Sequence, residues 1–222
     1  MSQTLALIHT APILIPTFQS LCREILEDVE VFNIVDESLL KNTIRDGDLT
    51  ALTVQRLVGY VQSAKQAGAD AVMVTCSSIG PGVEAARAVV DVPVLRIEEA
   101  MADQAVSTGA RIGVAATLNS TLRPTVELLN FRAARARRRC EVVSRLCEGA
   151  FEAVSSGDAA THDRIVSQNL VALMDAVDVV VLAQASMARV VESIPADNRR
   201  VPYPVEPPPR GLASRRRARK LR

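Results

Sequence analysis

The sequence predicts an α/β protein of two pseudo-symmetric parallel-sheet domains with an active site in the crevice between them. Two observations predict it. Short β-branched runs alternate with longer stretches of helical periodicity, the pattern of βα units around a parallel sheet. The chain also repeats itself: DAVMVTCSSI (70–79) is echoed by DVVVLAQASM (178–187) at an offset of 108. TLALIHT (4–10) is echoed by RIGVAAT (111–117), and RDGDLT (45–50) by SSGDAAT (155–161), so three matches run in one order at offsets of 107 to 110. The expected bounds are 1–105 for the first half, carrying Cys76, and 106–205 for the second, carrying Gln184.

Taken in order, the first strand is TLALIH (4–9) and the second VFNIV (31–35), after which Asp36 is placed to cap the helix ESLLKNT. The stretch 49–68 is a helix, because Val54, Leu57, Val58 and Val61 recur on one face. Its opening DGDLT supplies capping residues and Gly68 a stop. Strand DAVMVTC (70–76) leads into SSIGPGVEAARAVV, read as a helix, and then strand VPVLRI (92–97). The second half supplies RIGVAAT (111–117), EVVSRL (141–146) and DVVVLAQ (178–184) as strands. RAARARRR (132–139) reads as the solvated face of a helix. Val92-Pro93 and Val201-Pro202 follow the two copies of the repeated strand.

Composition excludes several functions. Of 222 residues 48% are hydrophobic and 23% charged, an ordinary globular balance, while 3% aromatics without Trp argue against stacking platforms for bases or sugars. The formal charge is +1, but Arg210, Arg215, Arg216, Arg217, Arg219, Lys220 and Arg222 sit in a tail with no acid, so the body is acidic. An acidic body is a poor nucleic-acid surface, and no nucleic-acid partner is expected. Four cysteines without a CxxC pair, and two histidines not spaced with them, predict neither a metal site nor a disulfide framework. The apolar N-terminus has no basic residue before Arg23 and is interrupted by Pro12 and Pro16, so it fits a strand better than a signal peptide. No run reaches the roughly 18 apolar residues of a membrane span. A cytoplasmic protein with reduced thiols is expected.

Ligands of open parallel sheets bind beyond the carboxyl ends of the strands, which puts Thr10, Cys76, Thr117 and Gln184 at one mouth. Cys76 ends a strand and precedes a helix, where free amides and the helix dipole are expected to lower its pKa from ~8.5. Ser77 and Ser78 add hydroxyls suited to a carboxylate. Packing of a small hydrophobe at the strand end is the alternative for Cys76. Thr117, Ser120 and Thr121 form a second hydroxyl cluster that could hold the other end of an anion, or cap the next helix. His9, beside Thr10, is either a site residue or a structural histidine.

HTAPILIPTF, NIVDESLL, VTCSSIGPGVEAAR, GVAATLNST and VVVLAQASMARV, in this order, resemble the aspartate/glutamate/hydantoin racemase superfamily over roughly residues 4–200. The resemblance implies two α/β domains with the site between them and chemistry without pyridoxal phosphate, metal or other cofactor. It also implies a homodimer or larger homo-oligomer and a small carboxylate-bearing substrate, with no membrane partner. Such racemases use one cysteine from each half, because inversion needs a base and an acid on opposite faces of a planar carbanion. Cys76 matches the first cysteine; Ser77, Ser78, Thr117 and Thr121 fall on carboxylate-binding positions, with Thr10, Ser120 and Ser186 beside them. At the second cysteine's position stands Gln184, which can donate a hydrogen bond but not a proton near neutrality. Cys147 and His9 are candidate replacements for the missing thiol, although Cys147 also suits packing of the following helix. A one-cysteine decarboxylase, lyase or cis–trans isomerase is the alternative, and a carboxylate-binding member without turnover a third. The end of the chain departs from the resemblance: Pro202, Pro204 and Pro207 to Pro209 stand where an apolar strand is expected. Residues 206–222 are expected to be a disordered basic tail, and a shifted reading frame would account for it.

Overall fold

The computed structural model describes residues 3–192 and 194, and in them seven strands form two separate parallel sheets. The first half comprises β1 (Gln3–His9), α1 (Ile15–Ile25), β2 (Val29–Val35), α2 (Glu37–Asp46), α3 (Ala51–Gln66), β3 (Ala71–Val74), α4 (Val83–Arg87) and β4 (Val94–Arg96). Then come α5 (Glu99–Thr108), β5 (Arg111–Ala116), α6 (Asn119–Arg135), β6 (Glu141–Leu146), α7 (Ala150–Ser155), α8 (Ala159–Met174), β7 (Val179–Leu182) and α9 (Ala188–Glu192). The first sheet has the order β2-β1-β3-β4 and the second β6-β5-β7. The basic tail and the Val201-Pro202 pair lie outside the described residues.

The repeat read from the sequence appears in the strand register. Leu5 to Ile8 pair with Ala71 to Val74, and Ile112 to Ala115 pair with Val179 to Leu182. The helix-entry echo is also structural: Gly47 and Gly157 adopt left-handed φ values of 70° and 87°, a conformation that favours glycine. Asp158, after the second of these glycines, caps α8 by accepting the Thr161 amide, while α3 is capped by Thr50 through the Thr53 amide.

Both faces of each sheet are buried, so the strands read as continuous apolar runs. In the first sheet Ala6, Ile8, Val72 and Val74 pack against Leu57, Val61 and Ala64 of α3, while Leu5, Leu7 and Met73 meet Cys22 of α1 on the other face. In the second, Ile112, Val114 and Val179 pack against α5 and α6 through Met101, Ala105 and Leu129. Its other face, with Ala115, Val180 and Leu182, is covered by Val166, Leu170 and Leu173 of α8. The core contacts of α5 are therefore with the second sheet, and residue 105 lies inside that helix.

Two elements depart from expectation. The segment after Cys76 is not one long helix but a 3-10 turn, Ser77–Gly82, followed by the five residues of α4. Pro81, which has no N–H to donate, stands between Gly80 and Gly82 and interrupts the α-helical ladder. RAARARRR is likewise only partly helical: α6 ends at Arg135, and Arg137 has a left-handed φ of 54°.

Candidate functional site

Strand ends set the site. Cys76 follows β3 in extended backbone and opens the 77–82 turn, so the amides of Ser78 and Ile79 reach its sulfur. The Thr10 hydroxyl, from the end of β1, hydrogen-bonds to the same sulfur. Burial pushes the Cys76 thiol above its ordinary value; the Thr10 hydroxyl and the two amides pull it down without prevailing, and the Glu98 carboxylate adds to the rise. Burial thus outweighs the lowering expected from a helix dipole, although Cys76 keeps part of its surface exposed. The helix is too short and irregular to project a strong dipole, and desolvation of the thiolate dominates.

In the second half, Gln184 occupies the place that repeats Cys76 and is likewise the residue that opens a 3-10 turn, Ala185–Met187. Its Oε1 accepts the Thr117 backbone N–H at 2.6 Å and its Nε2 donates to Thr117 Oγ1 at 2.8 Å. Both the amide and the hydroxyl of Thr117 are thus engaged by a neutral side chain.

The serines beside Cys76 reach across to the other half. Ser77 Oγ donates to the Ala183 carbonyl at 3.4 Å, and Ser78 Oγ shares a hydrogen bond of 2.8 Å with Thr121 Oγ1. Both serines and Thr121 are buried. An exposed pair, Arg123 to Asp48 at 2.5 Å, makes a third link. None of the hydroxyls of Thr117, Ser120 and Thr121 caps α6, whose N-cap is Leu118 without a side-chain bond. The structure thus brings together Cys76 with Thr10, Thr117 with Gln184, and Ser77 and Ser78 with the second half.

Four expected residues stand apart. His9 is fully buried, with Nε2 2.9 Å from Asn33 Oδ1 and Nδ1 2.8 Å from Thr75 Oγ1, and its ring meets Phe18 edge-on. Burial lowers its pKa, with the Asn33 bond acting the other way, and its neighbours hold the ring. Among the described residues Ser120 Oγ is buried without a partner, beside a cavity of about 480 Å3 whose lining includes Asp48, Ser78, Arg123 and Glu127. Cys76, Thr10, Thr117 and Gln184 do not line that cavity. Ser186 is half-buried on the turn after Gln184. Cys147 packs in the core with Ala150, Val166 and Leu170, and burial pushes its thiol up to about 11, with Arg145 pulling slightly the other way. It therefore does not stand in for a second catalytic thiol. Asp36 caps α2 as expected; burial raises its pKa, but Ser38, Tyr60 and Arg56 together hold it below the ordinary carboxylate range.

One group was missed. At the end of β4, Arg96 and Glu98 form a buried ion pair, with Arg96 Nε and Nη2 donating to Glu98 Oε1 at 3.0 and 2.6 Å. The signal was available: an arginine inside the apolar run VPVLRI, with a carboxylate two residues on. Among the described residues no group of three or more His, Cys, Asp or Glu could hold a metal ion. No helix among them is long and apolar enough to cross a membrane.

The family model for Asp/Glu/Hydantoin racemase matches residues 13–205. A search of curated proteins finds no match. Among solved structures, allantoin racemase from Klebsiella pneumoniae aligns with a TM-score of 0.66 at 18% identity, covering 92% of this chain and 83% of that one. Glutamate racemase from Bacillus anthracis gives 0.64 at 18% identity, with 86% and 71% covered. Aspartate racemase from Picrophilus torridus gives 0.67 at 13% identity, with 90% and 87% covered. At these identities the likeness is one of fold.

Proposed function

The chain belongs to the Asp/Glu/Hydantoin racemase family, and from that premise we propose that it is a cofactor-independent isomerase acting on a carbon next to a carboxylate. Its substrate class is an amino acid or a hydantoin-like derivative. The observation that carries the reading is the dressing of Cys76 by the Thr10 hydroxyl and the Ser78 and Ile79 amides, across the repeat from Gln184. As thiolate, Cys76 takes the α-proton, and the electron pair left on carbon moves onto the carboxylate. Hydroxyls and amides at the strand ends stabilise that charge as it develops. The thiol so formed then returns a proton to carbon. Gln184 contributes a hydrogen bond to the intermediate and no proton, so inversion depends on a donor other than a second cysteine.

A second reading is favoured by the raised pKa of Cys76. A thiol that stays protonated is a good proton donor, which suits a one-cysteine decarboxylase: carbon dioxide leaves, and Cys76 protonates the enolate. The test is incubation in D2O with amino acids, hydantoins and a substituted malonate, followed by proton NMR and chiral chromatography. Deuterium at the α-carbon with inversion supports the isomerase. Loss of carbon dioxide from the malonate alone supports the second reading. Saturable binding of a carboxylate without turnover overturns both in favour of a binding protein.

A further inference from the structure

His9 carries a hydrogen bond on each ring nitrogen, and the two partners come from the strands on either side of its own. Nε2 lies 2.9 Å from Asn33 Oδ1 on β2, and Nδ1 lies 2.8 Å from Thr75 Oγ1, just past the end of β3. Thr75 also grips β1 through the backbone: its N–H donates to the Ile8 carbonyl at 3.0 Å, and its hydroxyl lies at the same distance from that oxygen. Successive strand side chains alternate between faces, so His9 extends the row of Leu5 and Leu7 on the face covered by α1. There Phe18 meets its ring edge-on. Apolar groups of matching shape can replace a buried polar pair at little cost, so packing alone does not call for an imidazole here. Its place in the chain does. The residues that follow His9 and Thr75 are Thr10 and Cys76, whose hydroxyl and sulfur are themselves hydrogen-bonded. Two cross-strand pairs thus stand one behind the other, His9 with Thr75 and then Thr10 with Cys76.

We propose that His9 is a positioning residue for Cys76: by bonding Asn33 and Thr75 it fixes the ends of β1, β2 and β3 so that the Thr10 hydroxyl stays on the Cys76 sulfur. The register of β1 with β3 ends at Ile8 and Val74, so from residue 9 onward a side-chain bond takes over from the ladder. On the other side the Asn33 bond ties the ring to β2, and Phe18 closes off its edge from α1. The imidazole is therefore held from three elements, and it acts on the thiol through Thr75 and Thr10 rather than on a substrate. The inference rests on the reading that Cys76 is the reacting group.

The test is the pH dependence of Cys76 alkylation by iodoacetamide in the full chain, read by mass spectrometry on the peptide that carries it. No substrate is needed, so the result is separable from the functional reading, which stands or falls on turnover. The midpoint of the profile, unlike the rate, separates the thiol's hold on its proton from its accessibility. A hydrogen bond from Thr10 favours the thiolate, so losing it raises the midpoint. His9→Leu is expected to raise it by about half a pH unit, roughly a threefold loss of thiolate below the midpoint. Thr75→Val, which keeps the shape and removes the hydroxyl, is expected to shift it the same way. Thr10→Val removes the bond itself, and adding His9→Leu to it is expected to move the midpoint no further, because both changes act on one contact. A midpoint that is unchanged or lower in folded His9→Leu or Thr75→Val overturns the proposal. So does an equal further rise when His9→Leu is added to Thr10→Val, since His9 would then act independently of that contact. If His9→Leu and Thr75→Val both fail to fold, the pair serves the fold rather than the thiol, and the proposal fails.

Discussion

The side-chain amide of Gln184 holds Thr117 at two points, accepting its backbone N–H at 2.6 Å and donating to its hydroxyl at 2.8 Å. On the proposed function, a glutamine here stands in place of a second thiol and occupies groups that would otherwise hold the substrate's anion. Gln184→Cys is expected to reverse both effects. It supplies a proton donor facing the site from the second half and releases the Thr117 amide. The ratio of inversion to deuterium exchange should rise about tenfold or more, measured by chiral chromatography beside NMR in D2O. Gln184→Ala, which releases Thr117 without adding a thiol, should leave that ratio unchanged. It should also lower stability by about 1–2 kcal/mol, because a buried N–H loses its partner.

Two side-chain links between the halves should differ in weight. Ser78 and Thr121 share a buried hydrogen bond at 2.8 Å, whereas the Arg123–Asp48 pair is about three-fifths exposed on both sides. Thr121→Val leaves the Ser78 hydroxyl buried and unpaired, and is expected to cost about 1–2 kcal/mol in urea unfolding. Arg123→Ala removes a screened surface pair and is expected to cost under about 0.5 kcal/mol.

Alkaline stability should depend on Cys147. Burial pushes its thiol from 9.0 up to about 11, so between those values the unfolded chain has lost a proton that the native chain keeps. The unfolded state then binds fewer protons, and stability falls as pH rises through that window. The contribution is complete below about pH 9, and about 2 kcal/mol of it is gone by about pH 10.5. Urea midpoints near pH 8 and pH 10.5 check this. Cys147→Ala should be slightly less stable than wild type at the lower pH and lose less on going to the higher.

Strand positions were legible because both faces of each sheet are buried, which leaves runs such as DAVMVTC and DVVVLAQ standing out from the helices. The repeat was legible because equivalent strands pair in equivalent register, Leu5 with Ala71 and Ile112 with Val179. The segment after Cys76 was misread because its helical composition outweighed Pro81, although one proline between two glycines was enough to leave a 3-10 turn. The direction of the Cys76 pKa shift could not be read from a strand-then-helix pattern. It depends on how much water the folded site admits and on a carboxylate, Glu98, that reaches the turn from the start of α5. The pairing of Ser78 with Thr121 is hidden for the same reason: it joins residues 43 apart, on different halves.

Deuterium incorporation at the α-carbon, compared between the wild-type chain and Cys76→Ala, tests the role of Cys76 most directly. The measurement uses the amino acid or hydantoin that the wild-type chain turns over in D2O. The predicted result is exchange in wild type and a fall of about a hundredfold or more in Cys76→Ala, with an unchanged thermal midpoint to within about 3 °C. Exchange at the wild-type rate in a folded Cys76→Ala would contradict it.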